Sequence, residues 1–411
     1  MNRRAILVRT IGILCTAALA RAGDQPFPAF RAQQLDAKLT VGYGVLLLDL
    51  NGDHKPDIVV ADSQRVIWFE NPTWKMHAIL QGRTLPDNVA IAPIDLLHNG
   101  KIDLMLGAGW KGYNTKDNST LQWLQPPANV EEPWTLHEIP FAEVALHRVH
   151  VAEIDGKPHV IVAPLLGRGA SSQGNWSQTT PKLLDYSIPA DPIQRLWQPK
   201  VITDQFHVMH NFTPVDFDGT SKTSLLVACY EGVWLLRHND DGTWTSQQIG
   251  AGEQSNPNAS RGASEVKLGH SKSGERFIAT IEPWHGNEVV VYTPHKSGSG
   301  LWDRKVLDSQ LHEGHGIWLA DLDRDGGDEI IACSRAGGPG PGRGVFAYSM
   351  SSPTGNASDA TWTRHVIDDQ ETAAEDIAAA DLNGDGNIDI VAVGRSTHNV
   401  RIYWNQGTAA K

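Results

Sequence analysis

Residues 377–392 read Ile377-Ala-Ala-Ala-Asp-Leu-Asn-Gly-Asp-Gly-Asn-Ile-Asp-Ile-Val-Ala392. An apolar run meets an acidic, glycine-bearing turn, and a second apolar run follows. Short β-prone runs on either side of turn residues argue for two paired strands, not a helix. Val45-Leu-Leu-Leu-Asp-Leu-Asn-Gly-Asp-His-Lys-Pro-Asp-Ile-Val-Val60 repeats the pattern near the other end of the chain. Seven such units can be traced, so the chain is built from repeats.

A second repeated element precedes each unit. An aromatic residue is followed five positions on by an aliphatic one: Trp74 and Ile79, Trp134 and Ile139, Trp197 and Ile202, Trp244 and Ile249, Trp302 and Leu307, Trp362 and Ile367. A seventh copy, Phe30 to Leu35, stands before the first unit. The copies lie 44 to 63 residues apart, enough for four strands A to D with loops. The chain therefore begins with an outer strand D and ends with a strand C. That permutation predicts an all-β, seven-bladed propeller over residues 27–407, whose N-terminal strand completes the last blade and removes the exposed edges. His77, His137 and His365 sit in the D copies, where Lys or Gln replaces them in other blades, and read as solvated outer-strand residues.

Composition narrows the function. With 35 Lys plus Arg against 47 Asp plus Glu, the formal charge is −12, and no basic run offers a phosphate-binding surface. Arg3 and Arg4 followed by the apolar Ala5 to Ala20 and a small-x-small site read as a secretory signal peptide over residues 1–22. Its removal deletes Arg3, Arg4, Arg9 and Arg21, so the mature charge is 31 − 47 = −16. A secreted or periplasmic protein is expected. No later apolar run is long enough for a membrane span. Cys229 and Cys333 read as two buried free thiols.

In three turns, oxygen-bearing side chains occupy positions 1, 3, 5 and 9: Asp49, Asn51, Asp53, Asp57; Asp321, Asp323, Asp325, Glu329; Asp381, Asn383, Asp385, Asp389. Alternating oxygens around a tight turn suit structural Ca²⁺. The competing reading is a turn held by its own Asp side chains. Blades 2 (Asp95, His98, Asp103) and 4 (Asp216, Asp218) carry degenerate turns.

These turns join A to B and so share one face of the ring. Counting back six residues from each anchoring acid gives Tyr43, Val89, His147, His210, His315 and Glu375. Three histidines at one structural level predict imidazoles converging on the axis with Glu375, either as a ligand set for a divalent transition metal, zinc first, or as tautomer-locked hydrogen-bonding groups that shape a polar channel. His207, nine before its anchor, is a further candidate ligand. His150, Tyr230 and Glu265 are candidate acid–base groups. The B–C loops bring Arg168, Trp284, His285, Arg335 and Arg395 to the same face. Stacking faces and polar groups together suit a carbohydrate substrate.

The acidic turns resemble the FG-GAP/VCBS repeat, which implies a propeller whose blades bind Ca²⁺. Pro164-Leu-Leu-Gly-Arg-Gly169 after His147-Arg-Val-His150, with Tyr230-Glu-Gly232 and Ile281-Glu-Pro-Trp-His-Gly-Asn287, resembles the propeller domain of aldos-2-ulose dehydratase. That resemblance implies a metal-bearing propeller that dehydrates ketosugars of the 1,5-anhydrofructose or glucosone type by β-elimination. The rival readings are a polysaccharide lyase using the same enolate chemistry and a calcium-stabilised binding or adhesion propeller, which has no need of the histidine level.

Overall fold

The computed structural model describes residues 27–110, 113–255, 260–298, 300–336 and 342–408. The leader read at residues 1–22 lies outside them. Seven four-stranded antiparallel sheets form a ring. Their innermost strands are Gly42–Leu48, Ala90–Ile94, Leu146–Ile154, Asn211–Val215, Glu265–His270, Gly314–Ala320 and Ala374–Ala380. The only helical pieces among the described residues are two 3₁₀ turns, Ser172–Gly174 and Ala357–Asp359. Among the described residues no helix is long and apolar enough to cross a membrane.

The displaced copy closes the ring. Phe30–Leu35 pairs antiparallel with Val400–Asn405, Phe30 opposite Asn405 and Leu35 opposite Val400, as the outer strand of blade 7. Trp404 Nε1 donates to Gln33 Oε1 at 2.9 Å across the pair. The seam between blades 7 and 1 is filled by Leu35, Val45, Val60, Val391, Val393 and Ile402. Each B strand is covered on both faces by neighbouring blades, so it is continuously apolar: Ile58 through Ala61 are wholly inaccessible. Full burial of a side chain this size contributes roughly 1.5–3 kcal/mol.

The outer-strand histidines depart from expectation. His77 stacks on Trp68 (4.5 Å, 16°) and His137 on Trp123 (4.1 Å, 14°), each opposite its partner in the adjacent strand. His365 stacks on Phe27. The flat imidazole covers an aromatic face that Lys or Gln covers less completely, so these rings are packed and not solvated. Cys229 and Cys333 are buried free thiols.

All the acidic turns use one bonding scheme. Asp49 accepts the amides of Gly52, Asp53 and His54, Asp321 those of Asp325 and Gly326, and Asp381 those of Gly384, Asp385 and Gly386. The eroded turns of blades 2 and 4 repeat it through Asp95 and Asp216. The position-9 acids are different: Asp57, Glu329 and Asp389 are buried at the foot of strand B and bond backbone amides there. Only in blade 6 do three carboxylates, Asp321, Asp323 and Asp325, bring oxygens within 4.8 Å of one another, and Lys272 contacts Asp325.

Candidate functional site

The first residues of the innermost strands face the axis. His147 from blade 3, His210 from blade 4 and His315 from blade 6 each place a ring nitrogen within 4.8 Å of the other two, and all three are buried. Blades 3 and 6 stand almost opposite, yet the His147 and His315 ring centroids are only 6.4 Å apart. The axis is narrow enough at this level for imidazoles to span it.

Backbone carbonyls set the ring orientations. Nδ1 of His147 donates to the carbonyl of His210 (2.8 Å), that of His210 to Ser264 (3.0 Å) and that of His315 to Glu375 (2.6 Å). Each acceptor belongs to the next blade. A neutral imidazole that donates through Nδ1 keeps a bare lone pair on Nε2. Second-shell bonds of this type are how metal-binding histidines are held. Burial, followed by the guanidiniums of Arg148 and Arg335, pushes the pKa of all three well below the ordinary histidine range, so they stay neutral.

His285 joins them from the B–C loop of blade 5. Its Nε2 lies 2.9 Å from His210 Nε2, and its ring stacks 5.2 Å from that of His315. Arg335 Nη2 approaches His285 Nδ1 at 3.0 Å. Arginine can only donate, so His285 Nδ1 accepts and its Nε2 carries the proton. The His285 Nε2–H therefore donates to His210 Nε2, and Arg148 Nη1 reaches His147 Nε2 at 3.4 Å; a metal at the centre would take over both of these lone pairs. The residues present fit a divalent transition metal on His147, His210 and His315.

Charged groups flank this centre. Glu375 Oε1 lies 2.7 Å from Arg395, 3.1 Å from Arg335 and 3.6 Å from His315 Nε2. Glu265 Oε1 lies 3.1 Å from both Arg148 and His210 Nδ1, and Asn211 bonds its other oxygen. Tyr43, at the same level in blade 1, hydrogen-bonds Asp87; its phenol is raised by burial and by that carboxylate, and stays protonated. Arg395 stacks 5.5 Å over its ring.

An aromatic arc completes the funnel. Trp110 meets His147 edge-on (5.3 Å), Tyr113 stacks on Trp176 (5.1 Å), and Trp284 lies 5.0 Å from His285. The buried indole N–H of Trp284 has no hydrogen-bond partner among the described residues. Arg335 and Arg395 both follow the last residue of strand B, as Tyr230 does, and so share a structural position. Tyr230 packs against Arg261 in the same apolar cluster as Trp110 and Trp284.

Three candidates stand apart from the centre. Arg168 is exposed and braces loops through Lys116 O (2.6 Å), Ala142 O (2.8 Å) and Asn118 Oδ1. His207 is tied to Glu231 through Nδ1 (2.7 Å). His150 lies one further turn of the pleat along strand A, edge-on to Phe212. Conversely, sequence reading did not single out Arg148, Asp87, Trp110, Tyr113 or Trp176. For Trp110 a signal existed: it stands two residues beyond strand B, as Trp284 does in blade 5.

Residues 119–295 match a family model described as the β-propeller domain of aldos-2-ulose dehydratase. The matched segment contains His147, His210 and His285 and ends before His315. No curated protein matches the chain. Among solved structures, BBS1N, determined in complex with ARL6DN, aligns with 14% identity and a TM-score of 0.57 over 94% of this chain and 98% of that one. At that identity the likeness concerns the fold alone.

Proposed function

We propose that the protein is an exported, metal-dependent carbohydrate lyase that dehydrates a ketosugar of the 1,5-anhydrofructose or glucosone type. The observation that carries this reading is the set of three unprotonated Nε2 atoms of His147, His210 and His315 meeting on the axis, each ring held by an Nδ1 bond to a carbonyl of the next blade. The match to a dehydratase propeller supports the same chemistry. A divalent ion bound there supplies Lewis-acid polarisation of a substrate carbonyl and stabilises negative charge on its oxygen.

The reaction removes a proton alpha to the carbonyl, forms a carbon–carbon double bond and expels the β-hydroxyl, which leaves as water after taking up a proton. His285 donates its Nε2–H to a substrate oxygen; Arg335 fixes that tautomer. Glu375 is the carboxylate beside the centre and serves as proton acceptor, oriented by Arg335 and Arg395. Glu265 holds His210 and Arg148 in place and acts through them. Trp110, Tyr113, Trp176 and Trp284 stack on the sugar face.

Depth favours a single sugar over a polymer. His147, His210 and His315 are 4%, 0% and 2% exposed, so a polysaccharide chain laid across the funnel does not reach them. The test is metal analysis of purified protein, followed by ketosugar turnover read as ultraviolet absorbance of the enone product. Full turnover by demonstrably metal-free protein would sink the mechanism. Turnover of a uronate polymer but of no monomeric ketosugar would favour the polysaccharide-lyase reading.

A further inference from the structure

Beneath the histidine centre, toward the acidic turns, the axis opens into a separate cavity of about 370 Å³. Inner strands of all seven blades line it, and that volume lies within the range of small-ligand sites, about 300–1,000 Å³. Four charged side chains line it, Arg148, Glu265, Lys267 and Asp376, and the last two make no ion pair with the described residues. Lys267 Nζ has one long bond, 3.4 Å to Thr213 Oγ1, and sits 5.4 Å from the Trp318 ring centre. The Asp376 carboxylate accepts the Val45 amide at 3.0 Å and is attracted to the Arg148 guanidinium from beyond ion-pair distance. Arg148 is already committed to Glu265.

Unpaired charges in a protein interior are retained at a cost of several kcal/mol each unless something else compensates them. Here Lys267 is compensated only at longer range, by Glu265 and Asp376, and Asp376 by Arg148. Lys267 calls for an anionic oxygen. Asp376 calls for a hydrogen-bond donor. The Thr213 hydroxyl and the Trp318 face suit neighbouring hydroxyls and C–H groups.

We propose that this axial cavity is a second ligand site, for a small hydroxycarboxylate whose carboxylate pairs with Lys267 and whose hydroxyls donate to Asp376. It lies on the opposite side of Arg148 and Glu265 from the histidine centre and does not depend on the metal. Calorimetry on the mature protein with sodium gluconate as probe tests it. Saturable binding of one gluconate per chain, absent with glucose, is expected. Lys267→Met should weaken it by roughly tenfold or more, the loss of one charge-assisted bond. Asp376→Ala should weaken it as well, because the acceptor for the hydroxyls is gone. His210→Ala should leave gluconate binding unchanged, which separates this site from the metal centre. No saturable binding at millimolar gluconate, equal binding of glucose, glycine binding in place of gluconate, or undiminished binding by a folded Lys267→Met variant would each overturn the proposal.

Discussion

Pro126 leaves Asp103 one hydrogen bond short. In blades 1 and 7 the buried acid at the foot of strand B accepts two amides: Asp57 from Leu50 (3.0 Å) and Asn71 (2.8 Å), Asp389 from Leu382 (3.1 Å) and Asn405 (2.8 Å). Asp103 accepts Leu96 at 3.1 Å, but proline stands where Asn71 and Asn405 stand and has no N–H to give. Its Oδ1 is buried without a partner. Burial raises the Asp103 carboxyl from 3.8 to about 6. The folded value lies above the unfolded one, so its stabilising contribution is complete below about pH 4 and is lost as pH rises through about 6. Asp103→Asn removes that titration. It should melt higher than wild type at about pH 8, by the equivalent of roughly 2 kcal/mol, with the gain vanishing near pH 4. Scanning calorimetry at the two pH values decides it; a gain of equal size at both would point to packing instead. At the centre, the residues separate by role. His210→Ala should lower bound metal and ketosugar turnover together. His285→Gln should keep the metal and lose roughly a hundredfold in turnover, the usual scale for one proton-transfer group. Metal lost equally in both variants would make His285 a ligand.

The strand Phe30–Leu35 shows how an element far from the chemistry supports it. It is one of seven outer strands, yet among the described residues it is the strand whose pairing, with Val400–Asn405, ties the first part of the chain to the last. Deleting residues 27–36 exposes the edge of Val400–Asn405 and uncovers Leu35's seam with Val391 and Val393. The truncated protein should melt well below wild type, lose bound metal and aggregate on heating; an unchanged melting curve by circular dichroism would mean that the seam holds without it. Elements were the legible part of this chain. The aromatic-to-aliphatic spacing located every D strand, and counting back from the turn acids placed His147, His210 and His315 on one level, because strand periodicity carries position faithfully. Loops carry no such ruler. His285 was legible only as a residue of that face; that its ring closes on His210 and His315, and that Tyr113 and Trp176 stack from B–C loops of unequal length, are tertiary facts. The outer-strand histidines were misread for another reason: each looks polar alone, and only its cross-strand neighbour, Trp68 or Trp123, reveals it as half of a stacked pair.

At the scale of the whole ring, the two faces are chemically distinct. The turn face carries the acidic loops and the opposite face the aromatic and arginine-lined funnel. Ca²⁺ is expected to raise the melting temperature, since an ion that binds only the folded ring stabilises it by mass action. Lys272→Ala, which removes the ammonium from Asp325, should enlarge that shift, and Asp325→Ala should shrink it without touching ketosugar turnover. An identical melting temperature in chelator and in excess Ca²⁺ would leave the turns as self-bonded loops. The carbonyl bonds that hold the axial histidines have a further consequence, for descent. Repeat proteins readily gain and lose units by duplication and deletion. Here each imidazole is oriented by a neighbour's backbone, and the three meet only because seven blades make a shaft this narrow. An eighth blade would widen the shaft and part the rings; a sixth-blade ancestor could not have seated them the same way. Turns can erode, as those of blades 2 and 4 have, but the tally of blades is frozen for as long as the convergence on the axis is selected.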